Sequence, residues 1–137
     1  MHRSRRLPGI FVTATILTLI LLSAMACSFS TANIEEATMA RDYAGTDPTT
    51  TFAQDEVFYC VVILANAPDD TTVKASWTAI NAEGADPNTF IDETELTSGS
   101  NSLHFELSNT NLWPTGTYKV DLYLNDELDR TLEFEVE

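Results

Sequence analysis

Residues 112–124 read LWPTGTYKVDLYL, and this stretch decides how the rest of the chain is interpreted. From Tyr118 to Leu124 apolar side chains occupy every second position. Successive side chains of a strand point to opposite faces of a sheet, so this alternation predicts a strand with one buried face. Pro114 and Gly116 precede it and predict a turn. The segment is therefore a turn that leads into a half-buried strand.

The same period of two recurs through the chain beyond residue 34. The predicted strands cover residues 36–43, 56–65, 72–80, 88–95, 101–108, 117–125 and 129–136. The first of them is also compatible with a short helix. Strands with one oily face bury it by packing sheet against sheet, so we expect one all-β domain, an antiparallel seven-stranded sandwich over residues 34–137. Trp77 and Cys60 lie on predicted strands and are expected in its core.

The run from Leu112 to Val120 resembles the turn into the sixth strand of fibronectin type III and related immunoglobulin-like domains. The resemblance implies an immunoglobulin-like sandwich in which Tyr118 forms a tyrosine corner and Trp77 fills the centre of the core. Trp77 lies on the third strand rather than the second, which favours the broader immunoglobulin-like class over fibronectin type III. The positions of the inter-sheet disulfide of such domains correspond to Cys60 or Val62 and to Val120, so no bridge is expected.

The N-terminus has the pattern of an export signal. Arginines in the first six positions precede residues 10–26, which carry no charge. Ser23-Ala24-Met25-Ala26-Cys27 resembles the lipobox of bacterial lipoproteins, although Ala24 stands where Leu or Val is usual. The resemblance implies cleavage before Cys27 and acyl chains on that cysteine that enter a lipid bilayer. Ala24-Met25-Ala26 also fits an ordinary secretory cleavage site, and an uncleaved anchor is the third alternative.

The expected organisation is a signal peptide at 1–26, an acylated cysteine with a polar tether at 27–33, and the domain at 34–137. The chain from residue 27 onward contains four Lys and Arg residues against 21 Asp and Glu residues, a net charge of −17. Phosphate backbones are bound by clustered basic residues, so nucleic acid is excluded as a partner. The expected location is the cell membrane or the outer membrane, lipid-anchored and extracytoplasmic, with secretion as the alternative.

Residues suited to catalysis are scarce. Beyond Cys27 the chain has one histidine, His104, and one cysteine, Cys60. His104 falls on the polar face of a predicted strand, and Cys60 lies in the most apolar run of the protein, so neither indicates a nucleophile paired with a base. No cofactor and no enzymatic activity are expected. A small hydrolase that uses paired carboxylates is an alternative, since acidic residues are abundant.

The loops supply the remaining expectations. The second, fourth and sixth loops of a seven-stranded sandwich gather at one end, which brings Asp69 and Asp70 towards Asp126 and Glu127. Carboxylates from several loops can hold calcium, although Asp and Asn are also ordinary turn residues. The strand that follows the tether begins at that end, so this acidic end should face the membrane.

A ligand from outside would meet the opposite end of the sandwich, where Phe52, Trp113 and Pro114 are predicted. Trp113 is either an exposed interface anchor or a cap on the core. We therefore expect a non-catalytic binding or structural accessory module with a protein or glycan partner. A calcium- or carbohydrate-binding module is the alternative within the binding class.

Overall fold

The computed structural model describes residues 31–137, and within that range the protein consists of β strands and loops without a helix. Residues 1–30 lie outside the described part, and the expectations for the signal segment and for Cys27 fall there. The eight strands are β1 (Asn33–Ala40), β2 (Thr51–Phe52), β3 (Phe58–Ala65), β4 (Thr71–Ala82), β5 (Thr89–Ser98), β6 (Ser102–Leu107), β7 (Gly116–Leu124) and β8 (Glu127–Val136).

The strands form two sheets. One has three strands in the order β1-β3-β6, and the other has five in the order β2-β8-β7-β4-β5. Each of the seven predicted strands overlaps one observed strand, but the count of seven is corrected to eight by β2. This strand pairs parallel with β8, while all other pairs are antiparallel. Two residues are too few to show an alternation, which is why the pattern missed β2.

β1 differs most from its prediction. It begins at Asn33, inside the segment expected to be a tether, and it ends at Ala40 rather than at residue 43. Its register against β3 shifts between Ile34 and Glu36. Such a bulge adds a residue to one strand and moves the following side chains to the other face, so the period of two is broken where β1 begins.

One hydrophobic core joins both sheets. The largest fully buried side chains include Trp77 and Tyr118, and Cys60 has no exposed surface. Phe58, on the three-stranded sheet, lies 4.8 Å from Phe134 on the five-stranded sheet, measured between ring centroids, with the rings edge to face. Aromatic pairs in this geometry contribute about 0.5–1.5 kcal/mol beyond the area that they bury. The two sheets therefore pack as a sandwich around aromatic rings.

β3 is apolar on both faces, as expected for a central strand, and it lies in the middle of its sheet. Its outer face is covered by the loop of residues 41–47. A Cβ atom on Gly45 would lie 3.0 Å from a methyl group of Val61, and Val61 is 9% exposed. The glycine has φ +76°, so both the backbone and the close approach favour a residue without a side chain.

The sandwich has two ends. The entry end, where β1 begins and β3 and β7 end, carries the loops of residues 66–70, 99–101 and 125–126. The far end, where β3 and β7 begin and β6 ends, carries residues 53–57 and 108–115. At the entry end the Ala67 amide donates to the Ser100 hydroxyl oxygen at 2.9 Å, and the Asn125 amide donates to the Thr72 carbonyl at the same distance. The three loops thus gather as the strand order predicts.

No helix within residues 31–137 is long and apolar enough to cross a membrane.

Candidate binding cavity at the far end

Two loops are clamped together at the far end. The Trp113 amide donates a hydrogen bond to the Gln54 carbonyl oxygen at 2.8 Å. In return, the side-chain amide of Gln54 donates to the Trp113 carbonyl oxygen, also at 2.8 Å. These paired bonds join the segment before β3 to the segment before β7, 59 residues further along the chain. The walls of the far end are therefore fixed relative to each other.

The loop before β7 is anchored from inside the sandwich. The Trp113 ring stacks on Phe58 with 4.8 Å between centroids and 27° between planes, and it is 7% exposed. The Tyr118 hydroxyl donates to the Pro114 carbonyl oxygen at 2.6 Å, which is the backbone bond expected of a tyrosine corner. Of the two roles expected for Trp113, the structure gives it that of a cap on the core.

The residues expected to form an interface at this end need a correction. Phe52 is 1% exposed and packs edge to face against Phe58 and Phe134. Pro114 is only partly exposed. The rings of Phe52 and Trp113 thus belong to the core. β2 carries Phe52 inward beside β8, and neither ring is exposed at the surface as an interface anchor.

Between the clamped loops lies an open cavity of about 390 Å³. Its lining includes Gln54, Asp55, Glu56, Asn109, Asn111 and Leu112. Volumes of about 300–1,000 Å³ are usual for small-molecule sites. The strand order predicts that the two loops share an end, but nothing in the sequence distinguishes these lining residues from ordinary polar loop residues.

Of the two carboxylates that line the cavity, one is paired with a basic side chain and the other is not. Arg41 lies 3.2 Å from a carboxylate oxygen of Glu56 and 3.8 Å from Asp47, and its guanidinium donates to the Thr51 carbonyl oxygen at 2.9 Å. Glu56 is thus neutralised by a neighbour. Within residues 31–137 no ion pair or side-chain hydrogen bond engages the carboxylate of Asp55. The cavity therefore has one carboxylate that is not compensated.

One of the acidic loops at the entry end has a clear local role. Asn125 and Asp126 have φ +48° and +69° and join β7 to β8 as a two-residue hairpin turn, a conformation that Asn and Asp tolerate. Within residues 31–137 no group of three or more His, Cys, Asp or Glu side chains is arranged to hold a metal ion. Calcium binding through Asp69, Asp70, Asp126 and Glu127 stays a prediction from the sequence.

Asp42 organises the loop of residues 41–47. One carboxylate oxygen accepts hydrogen bonds from the Thr46 hydroxyl at 2.6 Å and the Thr46 amide at 3.0 Å, and the other accepts from the Asp47 amide at 2.8 Å. These hydrogen bonds lower the pKa of Asp42, and the bond from the Thr46 hydroxyl has the largest effect. The adjacent Tyr43 is 60% exposed and its ring stacks on His104 at 4.3 Å. The sequence pattern places Tyr43 on a strand, so it predicts neither the Asp42 hydrogen bonds nor the stacking of Tyr43 on His104.

The groups considered for catalysis are otherwise engaged. Cys60 is buried, and burial raises the pKa of its thiol to about 12, so the thiol is protonated and inert near neutral pH. The Nδ1 atom of His104 lies 2.7 Å from the carbonyl oxygen of Tyr43. A hydrogen bond there requires the proton on Nδ1, because the carbonyl can only accept. The ring thus serves as a support for the loop.

No protein-family model matches the chain, and no curated protein matches it in sequence. An immunoglobulin-like protein of Pseudomonas aeruginosa matches with a TM-score of 0.52 and 13% identity, over 77% of this chain and 96% of that one. The alkylpurine DNA glycosylase AlkC of Pseudomonas fluorescens, solved with DNA that contains an abasic site analogue, matches with a TM-score of 0.51 and 16% identity. That match covers 77% of this chain, which spans only 30% of the glycosylase chain. At such identities the likeness shows the fold alone, a two-sheet architecture of immunoglobulin-like type.

Proposed function

We propose that this protein is an exported lipoprotein, attached to a bilayer through acyl chains on Cys27, whose immunoglobulin-like sandwich is a non-catalytic binding or accessory module. The anchor rests on the lipobox-like run before Cys27. The fold-level part rests on the two sheets and on the likeness to an immunoglobulin-like protein. The single observation that carries the proposal is the position of the cavity, at the end of the sandwich opposite to the entry of the chain.

The N-terminal strand limits how far the module can stand from the anchor. The Thr31 hydroxyl donates to the Asn66 carbonyl oxygen at 2.8 Å, and β1 begins two residues later. Thr31 is four positions after Cys27, and a fully extended chain spans at most about 14 Å over four positions. An acylated Cys27 would therefore hold the entry end close to the membrane and turn the far end outward.

The engaged states of the thiol and the imidazole support a module without catalysis. Cys60 is buried inside the core, and His104 is tied to the carbonyl oxygen of Tyr43. A nucleophile needs a base within hydrogen-bonding reach, and these two groups belong to opposite faces of their sheet. Recognition through surface complementarity is the function that this arrangement favours.

The charge favours an extracytoplasmic partner that is not a polyanion. With a net charge of −17 beyond residue 26, the mature chain would repel nucleic acids and anionic lipid headgroups. A protein or a glycan partner at the far end is subject to neither repulsion. The acidic surface also keeps copies of the module apart on a crowded membrane.

Labelling with a fatty acid tests the anchor. The full chain is produced in a bacterial host fed with an alkyne fatty acid, next to Cys27→Ala and Cys60→Ala variants. We expect label on the parent chain and on Cys60→Ala, both in the membrane fraction, and none on Cys27→Ala. Label that is absent from the parent chain, or that persists in Cys27→Ala, contradicts the proposal.

A further inference from the structure

The cavity at the far end has the chemistry of a site for hydroxyl groups. Asn109 and Asn111 each offer two N–H donors and a carbonyl acceptor, and Asp55 offers acceptor oxygens only. Within residues 31–137 none of these three side chains makes a hydrogen bond to another side chain or to the backbone. Sugar hydroxyls donate and accept, so they match a mixture of amides and a carboxylate.

The cavity also has apolar surface beside these groups. Leu112, at the edge of the cavity, is 62% exposed, and Val57 is partly buried in the lining. A sugar ring presents hydroxyls at its rim and C–H groups on its faces. A lining that combines polar groups with an aliphatic side chain fits such a ring, because both kinds of surface lose water on binding.

The charge of the lining selects a neutral ligand. The lining contains no Lys, Arg or His. The nearby Arg41 is bound by Glu56, Asp47 and the Thr51 carbonyl oxygen, so it is not free to pair with an anion. Asp55 adds a negative charge. Phosphorylated, sulfated or uronate-containing ligands would therefore be repelled.

The walls of the cavity are loops and not strand edges. Residues 54–57 lie between β2 and β3, and residues 109–113 lie between β6 and β7. An extended peptide is usually bound by main-chain pairing along a free strand edge, which these walls do not offer. The paired hydrogen bonds between Gln54 and Trp113 hold the walls in place. Binding of a ligand therefore costs little conformational entropy of the loops.

From these observations we infer that the cavity binds a neutral oligosaccharide. The inference deepens the proposed function and rests on it for the outward orientation of the far end. The ligand contacts in this inference are hydrogen bonds between sugar hydroxyls and the side chains of Asn109, Asn111 and Asp55, with Asp55 only accepting, and a ring face against Leu112.

The test is a calorimetric titration of the detergent-purified full-length product with neutral oligosaccharides of glucose, galactose, mannose and N-acetylglucosamine. Glucuronate- and sialate-containing oligosaccharides and an unstructured peptide mixture serve as rival ligands. We expect at least one neutral oligosaccharide to bind and the rivals not to bind. Asn109→Ala/Asn111→Ala should weaken that binding about tenfold or more, because two hydrogen-bonding side chains are removed.

A matched control is Thr94→Ala/Thr97→Ala on β5, which does not line the cavity. It should leave the affinity unchanged, and the melting temperature of both double variants should match the parent. The inference is overturned if no neutral oligosaccharide binds, if the acidic ligands or the peptides bind instead, or if the cavity variant binds as well as the parent. Because the titration is carried out in solution, its failure is distinguishable from a failure of acylation at Cys27.

Discussion

The Tyr118 hydroxyl donates a hydrogen bond to the Pro114 carbonyl oxygen, four residues earlier in the chain, at 2.6 Å. The tyrosine ring is 1% exposed and stacks on Phe134 with 5.6 Å between centroids. One side chain thus packs the core and fixes the loop that forms a wall of the cavity. Burial of this phenol also raises the pKa of Tyr118. The core and the candidate site are therefore physically connected.

Tyr118→Phe should lower the free energy of unfolding by about 1–2 kcal/mol, since the ring still packs but the Pro114 carbonyl loses its partner. Urea denaturation measures this change. Tyr123→Phe is the control, because the Tyr123 ring contacts Lys74 and, within residues 31–137, its hydroxyl makes no hydrogen bond that the variant would lose. Equal stability of Tyr118→Phe and the parent would show that the hydroxyl does not hold the loop.

Gly116→Ala should destabilise the fold strongly. A Cβ atom at this position would meet the backbone of Asn81 and Ala82, and Gly116 has φ +150°. We expect a loss of about 3 kcal/mol or more, or failure to fold, because the clash is with backbone and not with a flexible side chain. Gly84→Ala is the comparison, since Gly84 has φ +78° but nothing lies within 4 Å of the added carbon. A loss of only about 1 kcal/mol is expected there, and equal losses for the two variants would contradict the argument.

Alkaline pH should destabilise the parent chain more than Cys60→Ala. Burial raises the pKa of the Cys60 thiol from 9.0 to about 12. Below pH 9 the thiol is protonated in both the folded and unfolded states, so its contribution to the free energy of unfolding is fully present. Between pH 9 and 12 only the unfolded state loses the proton, and the free energy of unfolding falls with rising pH.

Urea denaturation at pH 7 and pH 10.5 measures the effect. The parent should lose about 2 kcal/mol more than Cys60→Ala between these two pH values, because one pKa unit corresponds to about 1.36 kcal/mol. Other titrating groups, Tyr118 among them, are common to both proteins. An identical loss in both would mean that Cys60 is not buried in the folded state.

The Asp42 carboxylate should keep its hydrogen bonds to the loop at pH values below the ordinary titration range of an aspartate. Its hydrogen bonds lower its pKa from 3.8, so its contribution is present above that pH and is lost as the pH falls through the lower, folded-state value. The amide chemical shifts of Thr46 and Asp47 should titrate with a midpoint below 3.8. Asp42→Asn should abolish this titration and speed hydrogen exchange at both amides. A midpoint at or above 3.8 in the parent would contradict the assigned bonds.

The sequence predicts best the elements in which apolar side chains recur at every second position. The predicted bounds of β7 and β8 lie within two residues of the observed ones, because Tyr118, Val120 and Leu122 are buried on β7 and Phe134 and Val136 on β8. β1 was displaced by three residues at both ends, since the bulge after Ile34 breaks the alternation. β2 was missed because parallel pairing of Thr51 and Phe52 with β8 is a tertiary contact that two residues cannot encode locally.

The sequence predicts only at which end of the sandwich the candidate site lies, and not the cavity itself. Loop order places residues before β3 and β7 at one end, but the cavity depends on the reciprocal bonds between Gln54 and Trp113. These bonds join residues that are far apart in sequence. The sequence also left two roles open for Trp113, because an aromatic side chain beside a turn can be exposed or buried. Its stacking on Phe58 is a product of the assembled core.

Mass spectrometry of the native N-terminus tests the central claim most directly. The full chain is expressed in a bacterial host, extracted from the membrane with detergent and digested, and its first peptide is identified. The account predicts a peptide that starts at Cys27 and carries a diacylglyceryl thioether with an acylated amine. A peptide that begins before Cys27, or one that begins at Cys27 with a free amine and a free thiol, would contradict a lipid-anchored module.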